Sequence, residues 1–245
     1  MADRFDTHFG APSPATDYSR ATTGYDAGLR KHMLGVYNYM ASGVLLTGVV
    51  ALLFARSGMA YDIMVGPGLL KYLIIFSPLL FVMVISFGIN RLSTGAAQAL
   101  YWAFAVVMGL SMSTIFLVYT GTSIATTFFA TAAAFASLSL YGYTTKRDLS
   151  GMGTFLTMGL IGLFVAMIVN IFLQSPAVMY AISSIGVLIF AGLTAYDTQK
   201  LKEMYLYSGF DGEAAAKMSV NGALTLYLDF INMFQMLLTL LGDRR

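Results

Sequence analysis

The sequence contains no cysteine. That excludes disulfides, thiolate metal sites and cysteine nucleophiles. Charge is also scarce: Asp, Glu, Lys and Arg make up 11% of the 245 residues, against about 25% in an ordinary globular domain. A net charge of +2 gives no footprint for nucleic acid. The N-terminus has no early apolar core, so it does not read as a secretory signal. Residues 1–27 are instead polar and rich in Gly, Pro, Ser, Thr and Asp. They are expected to form a disordered polar tail.

What the chain does contain is hydrocarbon. Its residues are 58% hydrophobic, and its mean hydropathy is +0.73. The sixteen Met and eighteen Phe read as lipid-facing or packing residues rather than a cofactor box. Seven apolar segments can be drawn, at 33–55, 72–90, 96–119, 123–143, 153–173, 178–199 and 221–241. A helix needs about 20 residues to cross a bilayer. Backbone groups in lipid must pair internally, so each segment is expected to be an α-helix. Gly121–Thr122 and Gln174–Ser175–Pro176 form short links, which make sequential neighbours antiparallel. The expected fold is an all-α membrane protein, with residues 28–245 forming one seven-transmembrane-helix bundle.

Basic residues set the expected orientation. With the N-terminus in the cytoplasm, Arg4, Arg20, Arg30, Lys31, Arg91, Lys146, Arg147, Lys200, Lys202 and Lys217 fall inside. Only Arg56, Lys71, Arg244 and Arg245 fall outside. Positive charge collects in cytoplasmic loops, so this bias favours a cytoplasmic N-terminus.

Two carboxylates stand in apolar segments. Asp197 lies in IFAGLTAYDTQK on helix six, and Asp229 in ALTLYLDFINMF on helix seven. Ionisable residues in a bilayer are costly, face the bundle interior and mark ion or proton pathways. The topology puts both in the cytoplasmic half of the membrane, Asp229 roughly 12 Å from the expected start of its helix. Helix seven also carries Asn221, Thr225, Asn232, Gln235 and Thr239 at steps of three and four, forming one polar stripe with Asp229. Such a helix is expected at the centre of the bundle. Asn221, Thr225 and Thr239 read as interhelical hydrogen-bonding glue. If the two carboxylates meet, they resist ionising together and titrate as a coupled pair. That makes a pH-sensitive latch, and the doubly ionised pair would attract a hard cation such as Ca²⁺, held weakly or transiently. Arg91, at the cytoplasmic end of helix two, is the candidate counter-charge or else an interfacial anchor. Lys146, Arg147 and Asp148 read as an anchor rather than a site.

The stretches GLTAYDTQKLK at 192–202 and ALTLYLDFINMF at 223–234 resemble the Bax inhibitor-1 family, in particular its bacterial branch. YGYTTKRDLSGMG at 141–153 and INRLSTGAAQALYWAF at 89–104 add to the likeness, which covers about 28–245. The resemblance implies a bundle with helix seven enclosed by the other six. It implies a pH-sensitive Ca²⁺ leak in a bacterial inner membrane, gated by Asp197 and Asp229. Arg91 would match the family's closing arginine, while Thr225, Asn232 and Gln235 belong to the polar seam. No catalytic residue and no tightly bound cofactor are expected. The partners would be the lipid bilayer, Ca²⁺, protons and other membrane proteins. The link between helices six and seven, about 200–220, is expected to be longer than in compact relatives.

Three other readings compete. An intramembrane aspartyl protease also carries two aspartates on successive helices. It needs Gly-x-Gly-Asp where this chain has Leu226-Tyr227-Leu228-Asp229, and no proline here supplies a Pro-Ala-Leu motif. A proton-coupled transporter would favour broken helices, and segments six and seven hold no proline. A membrane scaffold binding protein partners is the third. A retinal protein is excluded, because helix seven has no lysine for a Schiff base.

Overall fold

The computed structural model describes residues 14–88, 92–208 and 212–245. Nine helices follow one another among these residues: α1 (Pro14–Arg56), α2 (Met59–Val65), α3 (Leu70–Gly88), α4 (Thr94–Met112), α5 (Thr114–Val118), α6 (Gly121–Thr144), α7 (Ser150–Leu173), α8 (Pro176–Ser208) and α9 (Glu213–Leu241). Seven stretches are long and apolar enough to cross a membrane. They are Ala27–Arg56 of α1, then α3, the joined α4–α5, α6, α7, α8 and α9. The protein is an all-α, seven-span membrane protein.

The helices start and stop for local reasons. Pro176 opens α8, where a missing N–H and a fixed φ cost nothing. Ser93 caps α4 by accepting from the Ala96 N–H, and Thr120 caps α6 by accepting from the Ser123 N–H. The α7–α8 turn passes through Gln174 at a φ of 49°. Asn170 steadies it by accepting the Ser175 N–H at 3.2 Å.

Two expectations about boundaries change. Helix α1 begins at Pro14, inside the stretch 1–27 expected to be a tail, while residues 1–13 lie outside the described residues. The long link expected over 200–220 is mostly helix, because α8 runs on to Ser208 and α9 starts at Glu213. Hydropathy falls in LKEMYLYS and EAAAK, but Leu, Lys, Glu, Met and Ala are all good helix formers. The added turns also pack: Leu201, Met218 and Val220 are buried. Asp229 therefore lies about 24 Å along its helix rather than near its start.

The last helix is the most buried of the seven, 56% of its apolar window against 39% for α8 and 11% for α3. It packs chiefly against four spans, α1, α4, α6 and α8. The second and fifth spans, α3 and α7, make no extensive contact with it; they lean on α4 and α8 instead.

Aromatic packing joins α9 to α4. The fully buried Tyr227 ring meets Phe104 edge-on at 5.1 Å and Tyr101 at 6.4 Å. Thr47 on α1 donates to the Ala105 carbonyl at 2.8 Å. Its one proton is then spent, so the Tyr227 hydroxyl donates to Thr47 Oγ1 at 2.7 Å. Three helices are fixed by that one threonine. At the far end, Thr120 N–H donates to the Asp243 carbonyl and Arg245 N–H to the Val118 carbonyl, pinning the C-terminus to the α5–α6 turn.

Candidate functional site

The site lies where α8 crosses α9. Asp229 is 5% exposed and Asp197 half-buried. Their side chains meet across the interface within hydrogen-bonding contact. Two carboxyl groups share a hydrogen bond only when one carries a proton. Asp229 Oδ2 is buried and accepts no hydrogen bond from a donor group of the described residues. Among the described residues neither aspartate forms an ion pair. Lys200, one helical turn beyond Asp197, acts on it by charge, and its ammonium stands 5.8 Å over the Tyr196 ring. Arg91 lies outside the described residues.

A directed polar chain holds α8 at this level. Thr198 donates to the Thr194 carbonyl at 2.7 Å, so its oxygen accepts from Ser139 on α6 at 2.9 Å. Ser139 in turn accepts from the Tyr37 hydroxyl on α1 at 2.6 Å. Thr198 is tied to α6, and one residue is about 100° of helix rotation. That sets Asp197 toward α9. Helices α6 and α8 approach closely just there. A Cβ on Gly142 would collide with the Ala195 carbonyl oxygen, with the Ala195 Cα only 3.0 Å away.

Gln199 fixes the adjoining loop. Its Nε2 donates to the Arg147 carbonyl at 2.8 Å, and its Oε1 accepts the buried Leu149 N–H at 2.9 Å. Asp148, just before the α7 N-cap Leu149, accepts the Ser150 N–H at 2.8 Å. The Ser150 hydroxyl and N–H together hold the Asp148 carboxyl below its ordinary range. Replacing Gln199 by alanine strands both loop groups, and leaving a buried donor unmade costs about 1–3 kcal/mol. Gln199→Ala is therefore expected to lower the thermal midpoint in detergent. It should also speed proteolysis of the 145–149 loop.

The rest of the polar stripe behaves differently from the expected glue. Thr225 and Thr239 donate to carbonyls four residues back, of Asn221 and Gln235. Asn232 does the same to Leu228 at 2.8 Å. Each of these donors bonds within α9. Gln235 is half-buried on the same helix.

One residue escaped the sequence reading. His32 on α1 is buried, stacks on Tyr205 of α8 at 4.9 Å and 21°, and its Nδ1 lies 3.1 Å from Ser219 Oγ of α9. Its Nε2 is buried without a partner. A histidine beside Lys31 looks interfacial in sequence. The added turns of α8 and α9 are what cover it.

Among the described residues no cluster of three or more His, Asp or Glu side chains is placed to hold a metal. Ca²⁺ takes about six to eight oxygen ligands, so two carboxylates suit a passing ion rather than a resident one.

Comparison with known proteins places the chain among bacterial membrane proteins. The family model described as "Inhibitor of apoptosis-promoting Bax1" matches residues 29–245. An uncharacterized protein of Rickettsia prowazekii is 48% identical over 221 residues, covering 90% of this chain and 93% of the relative. The Escherichia coli inner membrane protein YbhL is 48% identical over 220 residues, covering 89% and 94%. An uncharacterized protein of Caulobacter vibrioides is 46% identical over 234 residues, covering 92% and 94%.

Proposed function

The chain belongs to the Bax inhibitor-1 family, and from that premise we propose that it is an inner-membrane Ca²⁺ leak controlled by pH. Asp197 and Asp229 form the gate. The observation that carries this reading is the meeting of two acidic side chains at the buried α8–α9 interface. With one proton between them, the carboxyl groups hold α8 to α9. With none, two anions face each other in low dielectric. They then separate or draw in a cation. Ca²⁺ is the transported ion, touched weakly and in passing.

The N-terminus lies in the cytoplasm, as the distribution of Lys and Arg favours, and the gate opens toward that side. Arg91 supplies a positive charge that steadies the closed state. Thr225, Asn232 and Gln235 line the α9 face along which the ion moves. No catalytic chemistry is assigned.

The test is Ca²⁺ efflux from liposomes containing the purified protein, followed with a trapped indicator over a pH series. Efflux above that of protein-free liposomes, and varying with pH, is expected. Efflux equal to the protein-free control at every pH would overturn the reading.

A further inference from the structure

A cleft runs down the lipid-facing side of the bundle between α1 and α6. These helices do not pack extensively on one another, and the Tyr37–Ser139 hydrogen bond ties them at the cleft's floor. The part nearest the start of α1 is a cavity of about 640 Å³, walled by Met33, Leu34, Met40, Phe135 and Leu140. A second apolar cavity of about 280 Å³ continues along the same two helices, floored by Phe230 and Phe234 of α9. Apart from Thr47 and two glycines, its lining is hydrocarbon and aromatic.

Charge collects at one end. Arg30 lines the mouth of the larger cavity together with Tyr143. Lys202 reaches the same place from α8, donating to the Tyr143 carbonyl at 2.8 Å and standing 5.4 Å over the Tyr143 ring. No Asp or Glu lines either cavity. A slot with apolar walls and two cations at the interfacial end matches one molecule in a membrane. That molecule carries an acyl chain beneath a negative headgroup. Arg suits it because its fork pairs with phosphate oxygens.

We propose that the α1–α6 cleft binds an anionic phospholipid, with an acyl chain against Tyr37, Met40 and Phe135 and the phosphate held by Arg30 and Lys202. The lipid comes from the leaflet at the basic end of the bundle, the inner leaflet in the orientation given above. Its chain lies over the Tyr37–Ser139–Thr198 chain that sets α8. The site does not depend on whether the protein conducts ions.

The experiment is native mass spectrometry of the full chain in detergent, titrated with phosphatidylglycerol or with phosphatidylcholine of the same acyl chains. The wild type is expected to keep a single-lipid adduct, several-fold more occupied with phosphatidylglycerol. The double variant Arg30→Gln, Lys202→Gln should take up the two lipids equally. Ala136→Trp and Ala41→Trp each put an indole into the slot from an exposed position, and each should lose the adduct with both lipids. Equal occupancy in the wild type would overturn the proposal. So would a preference that survives the charge variant, or an adduct that survives both tryptophans. A dimer that the tryptophans dissolve would also overturn it, because a second copy would then fill the cleft.

Discussion

Replacing Asp229 by asparagine is expected to flatten the pH profile of Ca²⁺ efflux while leaving the protein folded. Asparagine keeps the shape of the side chain and can hydrogen-bond to Asp197, but it neither binds nor releases a proton. A coupled pair becomes a single site, and the step in which the shared proton leaves is lost. Asp197→Asn should do the same from the other side of the interface. Efflux that varies several-fold across the titration in the wild type should vary little in either variant. Stability should move in the other direction, if at all. Asp229 is buried, and a neutral amide costs less there than a carboxylate. The thermal midpoint of Asp229→Asn should therefore match or exceed the wild type's. A variant that loses both pH response and fold would point to a structural role.

Gly142→Leu is expected to do the opposite, destroying the fold locally without touching a titrating group. The glycine lies where α6 meets the α8 backbone at Ala195, two residues before Asp197. The obstacle is a main-chain carbonyl, not a side chain that can swing away. Overpacking a tight interior costs about 1–3 kcal/mol where side chains can adjust, and here the helices themselves must part. The thermal midpoint should fall sharply, with loss of protein surviving extraction in detergent. Even Gly142→Ala should be harmful, although alanine favours helix elsewhere by about 0.5–1 kcal/mol. Gly162 is the control. A Cβ there meets nothing within 4 Å, so Gly162→Ala should be neutral or slightly stabilising.

The membrane spans were legible because hydrocarbon selects apolar runs of one length, and all seven stand close to where the runs lie. The ends of α8 and α9 were not. Loss of hydropathy marks where a chain leaves the membrane, whereas a helix ends where propensity and packing fail. Leu201 and Val220 still pack, so the helices continue. Asp197 and Asp229 were legible because a carboxylate in an apolar run is conspicuous. The tie that orients them was not, since Tyr37, Ser139 and Thr198 are ordinary polar residues far apart in the chain. His32 was hidden for the same reason, as its cover comes from Tyr205 and Ser219 on helices whose extension the sequence did not announce. The stripe on α9 is a periodic pattern in the sequence. Its hydroxyls nonetheless bond to their own backbone, an alternative always open to Thr in a helix.

In the proposed gate one proton is shared between Asp197 and Asp229, and its loss changes conduction. Infrared titration of the purified protein tests this directly, through the carbonyl stretch of a protonated carboxyl group. Such a band is expected, altered in both Asp197→Asn and Asp229→Asn, and it should disappear over the same pH interval in which Ca²⁺ efflux changes. A wild-type band unaffected by either substitution, or one that titrates outside that interval, would contradict it.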